Sequence, residues 1–274
     1  MSLKGKVEHF AITDKGMVRD HNEDAVGSDL DIGLLVLADG MGGYNAGEVA
    51  SGIAVKTTVD ILRDFTNREK RGAIDEETGL MRQTVALRDA IVRANKIIYQ
   101  TSKSKPECEG MGTTIAAALF YNNRVSIAHV GDSRVYRLRN DEFSQVTADH
   151  SLLRELVDRG FYSPEEAQRS LNRNYVTRAL GIEPKVEVEL QEEAALPDDV
   201  YVLCSDGLTD MVEDEDIHLT ISTFNANLHT VGQQLIRLSN DNGGKDNISV
   251  VVAKVVKPFG QDGNLLRKLS SLFS

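Results

Sequence analysis

The stretch Leu34-Leu35-Val36-Leu37-Ala38-Asp39-Gly40-Met41-Gly42-Gly43 constrains the chain more than any other. Its run of large apolar residues predicts a buried strand over 32–38. That strand delivers Asp39 at a fixed place. The glycines behind it let backbone come close to whatever the carboxylate holds. Read alone, the stretch is more simply a strand followed by a turn, because Asp-Gly is a common turn pair; the rest of the chain reverses that reading.

The pattern returns further along. Val200 to Ser205 is another apolar run, and it ends in Asp206-Gly207-Leu208. Asn242-Gly243-Gly244-Lys245-Asp246-Asn247 leads into the apolar strand predicted over Ile248 to Val256. Asp132, after Gly131, stands behind the strand predicted for Arg124 to Val130. A lone aspartate at a strand end is usually a turn or cap residue. Several, each near glycine and each anchored to a buried strand, predict one edge where their side chains converge. Converging carboxylates repel and rise in pKa, and cations relieve that repulsion. With oxygen ligands and no His or Cys cluster, the expected ions are hard, Mg²⁺ or Mn²⁺. No loop has the spacing of an EF-hand, which argues against calcium. Paired hard cations suit reactions at phosphorus, where a bridging water ionises near neutral pH and attacks in line. Arg19 shares a polar segment with Glu23 and Asp24 and is the candidate for holding a phosphate through its planar fork; the alternative is a surface ion pair.

The remaining elements follow from periodicity. Residues 6–12 alternate as a strand, and 14–24 read as a polar turn at the edge of a site. Ala46, Ala50, Ile53, Thr57 and Ile61 fall at helical spacing, as do Leu87, Ile91, Ala94 and Ile98. Residues 67–79 read as a surface loop. Thr113 to Tyr121 and Arg124 to Val130 form a hairpin about Asn122-Asn123. After Gly131-Asp132-Ser133-Arg134 the strand is expected to resume over Val135 to Leu138, with a turn at Asn140-Asp141. Residues 150–182 are a helical insert, with a short helix closed by Gly160 and a second start at Ser163-Pro164. The insert is either a lid over a site or a connecting excursion. Val231, Leu235 and Leu238 mark a last helix. Residues 258–274 form a leucine-bearing tail that either docks on the domain or a partner, the favoured reading, or is partly disordered.

A net charge of −11 argues against binding nucleic acid or an anionic membrane. The two cysteines suggest neither a disulfide framework nor a cysteine metal site. No signal sequence and no membrane span is evident. A cytoplasmic protein is expected.

Arg19-x-x-Asn22-Glu23-Asp24, Asp39-Gly40-Met41-Gly42-Gly43, Gly112-Thr113-Thr114, Gly131-Asp132-Ser133-Arg134, Ser205-Asp206-Gly207 and Asp246-Asn247 occur here in one order. In that order they resemble the metal-dependent (type 2C) serine/threonine protein phosphatases, in particular the compact bacterial branch. The likeness runs from about Asp14 to Val256. It implies an α+β fold, a four-layer α-β-β-α sandwich with two central antiparallel β-sheets flanked by helices. Residues 1–257 would be the phosphatase domain, 150–182 its flap and 258–274 an amphipathic tail. It also implies two core Mg or Mn ions and a possible third. Asp39 would bridge the two core ions, and Gly40 would add its carbonyl to the first. Asp206 and Asp246 would bind the second. Glu23 would act through metal-bound water, and Asp24 would support the ligand shell. Arg19 would bind the substrate phosphate. A third ion would lie near Asp132, shared with Asp206. The implied reaction is direct hydrolysis of phosphoserine and phosphothreonine in proteins by a water bridging two ions. Its partners would be phosphorylated proteins and an opposing bacterial Ser/Thr kinase, and the chain is expected to be a monomer.

One departure concerns the proton. Many eukaryotic relatives have histidine where this chain has Met41, and that histidine is a candidate general acid. Leaving-group protonation here falls to metal-bound water or another residue, with His150 and His21 as candidates. Two rival readings share the fold: a phosphatase acting on one regulator in a partner-switching pathway, and a non-catalytic binding protein. The second predicts lost ligands, yet Asp39, Asp206 and Asp246 are present. An acidic two-metal nuclease fits the charge poorly.

Overall fold

The apolar strands are buried on both faces because each sheet lies between a helical layer and the other sheet. The computed structural model describes residues 2–43, 46–68, 73–163 and 175–260. One sheet contains β1 (Val7–Asp14), β7 (Arg134–Arg139), β8 (Glu142–Gln145), β10 (Val200–Cys204) and β11 (Ile248–Val255), in the order β1-β11-β10-β7-β8. The other contains β2 (Asp24–Asp29), β3 (Leu34–Met41), β5 (Ile115–Tyr121), β6 (Arg124–Val130) and β9 (Glu189–Ala194), in the order β2-β3-β5-β6-β9. A short β4 (Gly112–Thr113) pairs with β3 off this path. Neighbouring strands in both sheets are antiparallel.

Strand alternation sorts the core into layers. In β3, Leu34, Val36 and Ala38 pack with α1 (Ala46–Arg68) and α2 (Arg82–Ser104). Leu35 and Leu37 face the other way and meet Tyr201, Leu203, Val251 and Ala253 of the opposing sheet. Beyond that sheet, Val200, Val202, Val250 and Val252 pack on the helices α5 (Asp214–Phe224) and α6 (Leu228–Asp241). The result is the expected helix–sheet–sheet–helix stack. Ala50, Ala54, Ala90 and Ala94 are fully buried, and their small side chains let α1 and α2 sit close on the sheet.

The turns fit their residues. Asn122 and Asn123 adopt φ of 46° and 57°, and Asn140 and Asp141 adopt 49° and 66°. Consecutive positive φ values match the right-handed twist of the flanking strands, and Asn and Asp tolerate them.

Several expectations are adjusted. β3 does not end at Ala38 but runs through Asp39 to Met41, because Gly40 and Met41 pair with Thr113 and Gly112. The strand expected over Thr113 to Tyr121 breaks at Thr114, where β4 gives way to β5. The chain does not resume the same strand after Gly131. β6 lies in one sheet and β7 in the other, so Gly131, at φ 106°, is where the chain crosses between sheets. β2, β9 and α5 were not anticipated. Of the insert, α3 (Leu152–Asp158) forms as expected, with the Ser151 side chain accepting the Arg154 N–H. The helix start at Pro164 lies outside the described residues, as does the tail from 261 onward. The tail's beginning docks: Phe259 is buried and packs near Phe120 in the layer between the sheets.

Candidate metal centre

The antiparallel ladders bring the end of β3, the start of β2 and the end of β6 to one edge. The end of β10 and the start of β11 share the neighbouring edge of the second sheet. Asp24 and Asp39 lie directly opposite in the β2–β3 ladder. Asp206 opens a one-turn helix, α4 (Asp206–Thr209), immediately after β10. Its neighbour Gly207 lies so close to β11 that a Cβ there would come within 2.0 Å of the Asn247 carbonyl oxygen.

Asp39 is fixed by its backbone. Its N–H donates to Thr114 Oγ1 at 3.1 Å. Its carbonyl accepts from Thr114 N at 2.9 Å and Thr113 Oγ1 at 2.8 Å. The carboxyl is then free to face its neighbours. It lies within hydrogen-bonding reach of Asp206 and feels the charges of Asp24, Asp206 and Asp132. Burial, and after it those like charges, push Asp39 well above the usual carboxylate range. Asp206 is raised for the same reasons, with Asp132, Asp246 and Asp210 as the repelling groups. Burial pushes Asp24 up to about 6 against the pull of the Ser249 and Ser205 hydroxyls. Burial, with help from Asp149, pushes Asp132 to about 6. The sequence-predicted acids Asp24, Asp39, Asp132, Asp206 and Asp246 therefore share one electrostatic cage.

The cage fits a hard cation. Asp24 Oδ1 and Asp206 Oδ1 are buried with no hydrogen-bond partner among the described residues. An orphaned carboxylate oxygen among like charges is costly, and a divalent ion supplies both the missing partner and the opposite charge. All the donors are oxygens, as Mg²⁺ and Mn²⁺ prefer.

Gly40 is pressed between α1 and Glu23, the residue that precedes β2. A Cβ there would meet Gly47 O at 2.2 Å and Glu23 O at 2.5 Å. The Glu23 carboxylate rests against the first turn of α1, since a Cβ on Gly47 would lie 2.8 Å from Glu23 Cδ and Oε1. Arg19 donates from Nη2 to Asp246 Oδ2 at 2.7 Å, and its side chain is half exposed.

Other contributors had no role assigned from sequence. Asn247 accepts the Glu23 N–H at 2.8 Å and donates to the carbonyls of Lys15 at 3.0 Å and His21 at 2.8 Å. It thereby sews the Arg19–Asp24 loop to β11. Ser205 donates to Asp24 Oδ2 at 2.9 Å. Asp210 adds a further negative charge near Asp206 and Asp132. Its place four residues after Asp206, at helical spacing, was the available signal.

His129, His150 and Glu189 form a second group whose ligand atoms lie within 4.8 Å of one another. Gly131 N–H donates to His150 Nδ1 at 3.1 Å, so the neutral ring carries its proton on Nε2, where Glu189 Oε2 accepts at 3.2 Å. Arg178 Nη1 lies 3.3 Å from the same nitrogen. A metal there would displace that proton beside a guanidinium, so the group is a hydrogen-bonded pillar rather than an ion site. Both ring nitrogens of His150 are thus engaged. The His21 side chain is exposed.

A two-sheet sandwich with a carboxylate cage at one edge defines a binder of hard divalent cations. Residues 17–245 match the family described as Protein phosphatase 2C. The chain belongs to this family. It is 40% identical to the serine/threonine protein phosphatase PstP of Mycobacterium tuberculosis over 264 residues, which covers 95% of this chain and 47% of that protein. The chain thus spans about half the length of that relative. It is 38% identical to the serine/threonine phosphatase stp of Listeria monocytogenes, covering 88% of this chain and 93% of that one. Its fold is similar to a crystal structure of the catalytic domain of serine threonine protein phosphatase PstP in complex with two manganese ions. The TM-score is 0.78 at 38% identity, over 92% of this chain and 99% of that one.

Proposed function

We propose that this chain hydrolyses phosphoserine and phosphothreonine in proteins with Mg²⁺ or Mn²⁺ as cofactor. The observation that carries the reading is the convergence of Asp39 and Asp206, each raised in pKa by burial and by like charges from distant parts of the chain. Family membership and the named relatives support it.

In this reading Asp39, Asp206, Asp246 and the Gly40 carbonyl would hold two ions, and Asp132 with Asp206 would serve a third. When bound, such ions supply an ionised water near neutral pH and neutralise charge on the phosphoryl oxygens. The protein groups do the rest. Arg19 holds the substrate phosphate; the pair with Asp246 uses Nη2, and a guanidinium has about five N–H donors to offer. Asp24 braces Asp39 from the facing strand. Glu23, its backbone locked by Asn247 and Ser51, keeps a carboxylate beside the α1 N-terminus for orienting water. Uncatalysed phosphomonoester hydrolysis needs acceleration approaching ~10²¹-fold, and several charges acting on one phosphoryl group are the means available.

We assign residues 1–257 to the phosphatase unit, with 150–182 as its flap and 258–274 as a tail. The working partners are phosphorylated proteins and an opposing Ser/Thr kinase, with the chain acting as a monomer. Among the described residues no helix is long and apolar enough to cross a membrane. Cys108 and Cys204 are buried free thiols, and the setting we assign to the chain is cytoplasmic. The test is manganese-dependent release of phosphate from a phosphothreonine peptide. Turnover that is lost on removing the metal and restored on adding it supports the reading; no turnover at any metal concentration refutes it.

A further inference from the structure

Side chains alternate along β3, so Asp39 and Met41 share one face while Gly40 points to α1. Met41 pairs with Gly112 of β4. Two side chains close over the bare α-carbon of Gly112. A Cβ there would lie 2.8 Å from Ile182 Cδ1 and 2.9 Å from Met41 Cε. The backbone that leads into Ile182 is held: Leu180 and Gly181 are buried, Leu180 N–H donates to Thr113 O, and Gly181 N–H donates to Asn95 Oδ1 at 2.7 Å. Yet Ile182 itself is 47% exposed. Met41 and Ile182 thus form a small apolar shelf, rigidly mounted on the strand that carries Asp39 and about 7 Å along it.

We propose that this shelf is a specificity subsite that takes a leucine-sized aliphatic side chain flanking the phosphorylated residue of a protein substrate. The proposal rests on the phosphatase reading above. A phosphoryl group brought to Asp39 carries its polypeptide across the same rim. An extended peptide advances about 3.3–3.6 Å per residue, so a side chain one or two positions away reaches the shelf. The shelf offers no charge and no hydrogen-bonding group from Met41 or Ile182, so an aliphatic group gains there what a charged one loses. A Cβ on Gly112 would press on the far ends of both side chains, Ile182 Cδ1 and Met41 Cε.

The experiment is a panel of phosphothreonine peptides with Leu, Gly or Asp at each of the two positions on either side of the phosphoresidue. Each is assayed with Mn²⁺ for kcat/KM on the full chain, on Ile182→Ser and on Ile182→Val. The wild-type protein is expected to prefer Leu over Gly at one or more flanking positions by about tenfold. Ile182→Ser should bring that ratio close to one, and Ile182→Val should keep most of it. Equal rates across the panel, or a preference that survives Ile182→Ser, overturn the subsite while leaving the phosphatase reading intact. A preference that emerges only when residues 261–274 are removed assigns the shelf to the chain's own tail and also overturns the proposal. If no peptide is hydrolysed by the wild-type protein, the phosphatase reading fails and the subsite with it.

Discussion

Arg19 Nη2 and Asp246 Oδ2 lie 2.7 Å apart, although 227 positions separate them in the chain. The pair joins the loop that precedes β2 to the turn that precedes β11, at the edge of the acidic cage. It is too exposed to matter much for stability. Its consequence is positional: Arg19 is held beside the group that would bind the second ion. Arg19→Ala is therefore expected to raise KM for a phosphopeptide about tenfold or more with a smaller change in kcat, while the melting temperature stays within a degree or two. Arg19→Lys should recover little, since a lysine lacks the fork. An unchanged KM in Arg19→Ala contradicts phosphate binding.

The cage makes metal binding pH-dependent. Asp24 and Asp132, both near 6 in the folded protein, sit about two units above an ordinary carboxyl. A raised carboxyl pKa means the native state binds more protons than the unfolded one between about pH 4 and 6. The metal-free fold therefore loses stability across that window as pH rises, by a few kcal/mol at most from each group. A bound divalent ion stabilises the ionised forms and offsets the loss. Thermal melts with and without Mn²⁺ should show a metal-induced rise in melting temperature that is small at pH 5 and grows by pH 7. A metal effect independent of pH would count against the cage.

Histidines contribute with the opposite sign. Burial lowers His129, and burial with the neighbouring His129 lowers His150. Both are stabilising while neutral, and that stability is lost as pH falls from about 6.5, the unfolded value. The groups facing them are Glu189, Asp149 and Arg178. His150→Asn keeps an acceptor in place of Nδ1 for Gly131 N–H but cannot be protonated there. It should flatten the acid limb of stability between pH 6.5 and 5, as read by chemical denaturation. An unaltered acid limb would show that the buried ring is not what titrates.

Asn247 satisfies three backbone groups with one side chain. Asn247→Ala should destabilise the fold by roughly 2–4 kcal/mol, about one per lost hydrogen bond plus the desolvation of stranded groups. It should also lower activity more than its stability loss explains, because the Arg19–Asp24 loop loses its anchor. Urea unfolding and kcat/KM measured together separate the two effects. A variant of normal stability and full activity would remove Asn247 from the account.

How much of this was legible beforehand depends on where each residue finds its partners. β3, β10 and β11 read clearly because continuous apolar residues need no partner to declare themselves. The Asn-Asn and Asn-Asp turns read clearly for the same local reason. β9 did not. Its Glu192 and Glu193 look like a solvated stretch, but they are matched by Arg124, Arg137 and Thr84, far away in sequence, and by Tyr201 on the facing sheet. β2 was hidden by Gly27, whose missing side chain is filled by Val55 of α1 and Val36 of β3. At the site, Asp39, Asp132, Asp206 and Asp246 were visible because each stands near an apolar run, whereas Asp24 was given its role by the resemblance. Ser205 and Asn247 stood in the motifs without a role, and Asp210 was not named, since a polar residue reveals a bracing role only when its distant partner is in view.

The central claim is that Asp39 and Asp206 face one another in order to hold ions. Isothermal titration with Mn²⁺ on the folded wild-type protein and on Asp39→Asn and Asp206→Asn tests it most directly. The wild type should bind at least two ions per chain and release protons as it does so. Each variant should keep its circular dichroism spectrum while losing at least one ion and all manganese-dependent turnover of p-nitrophenyl phosphate. Full metal binding and turnover in either folded variant would contradict it.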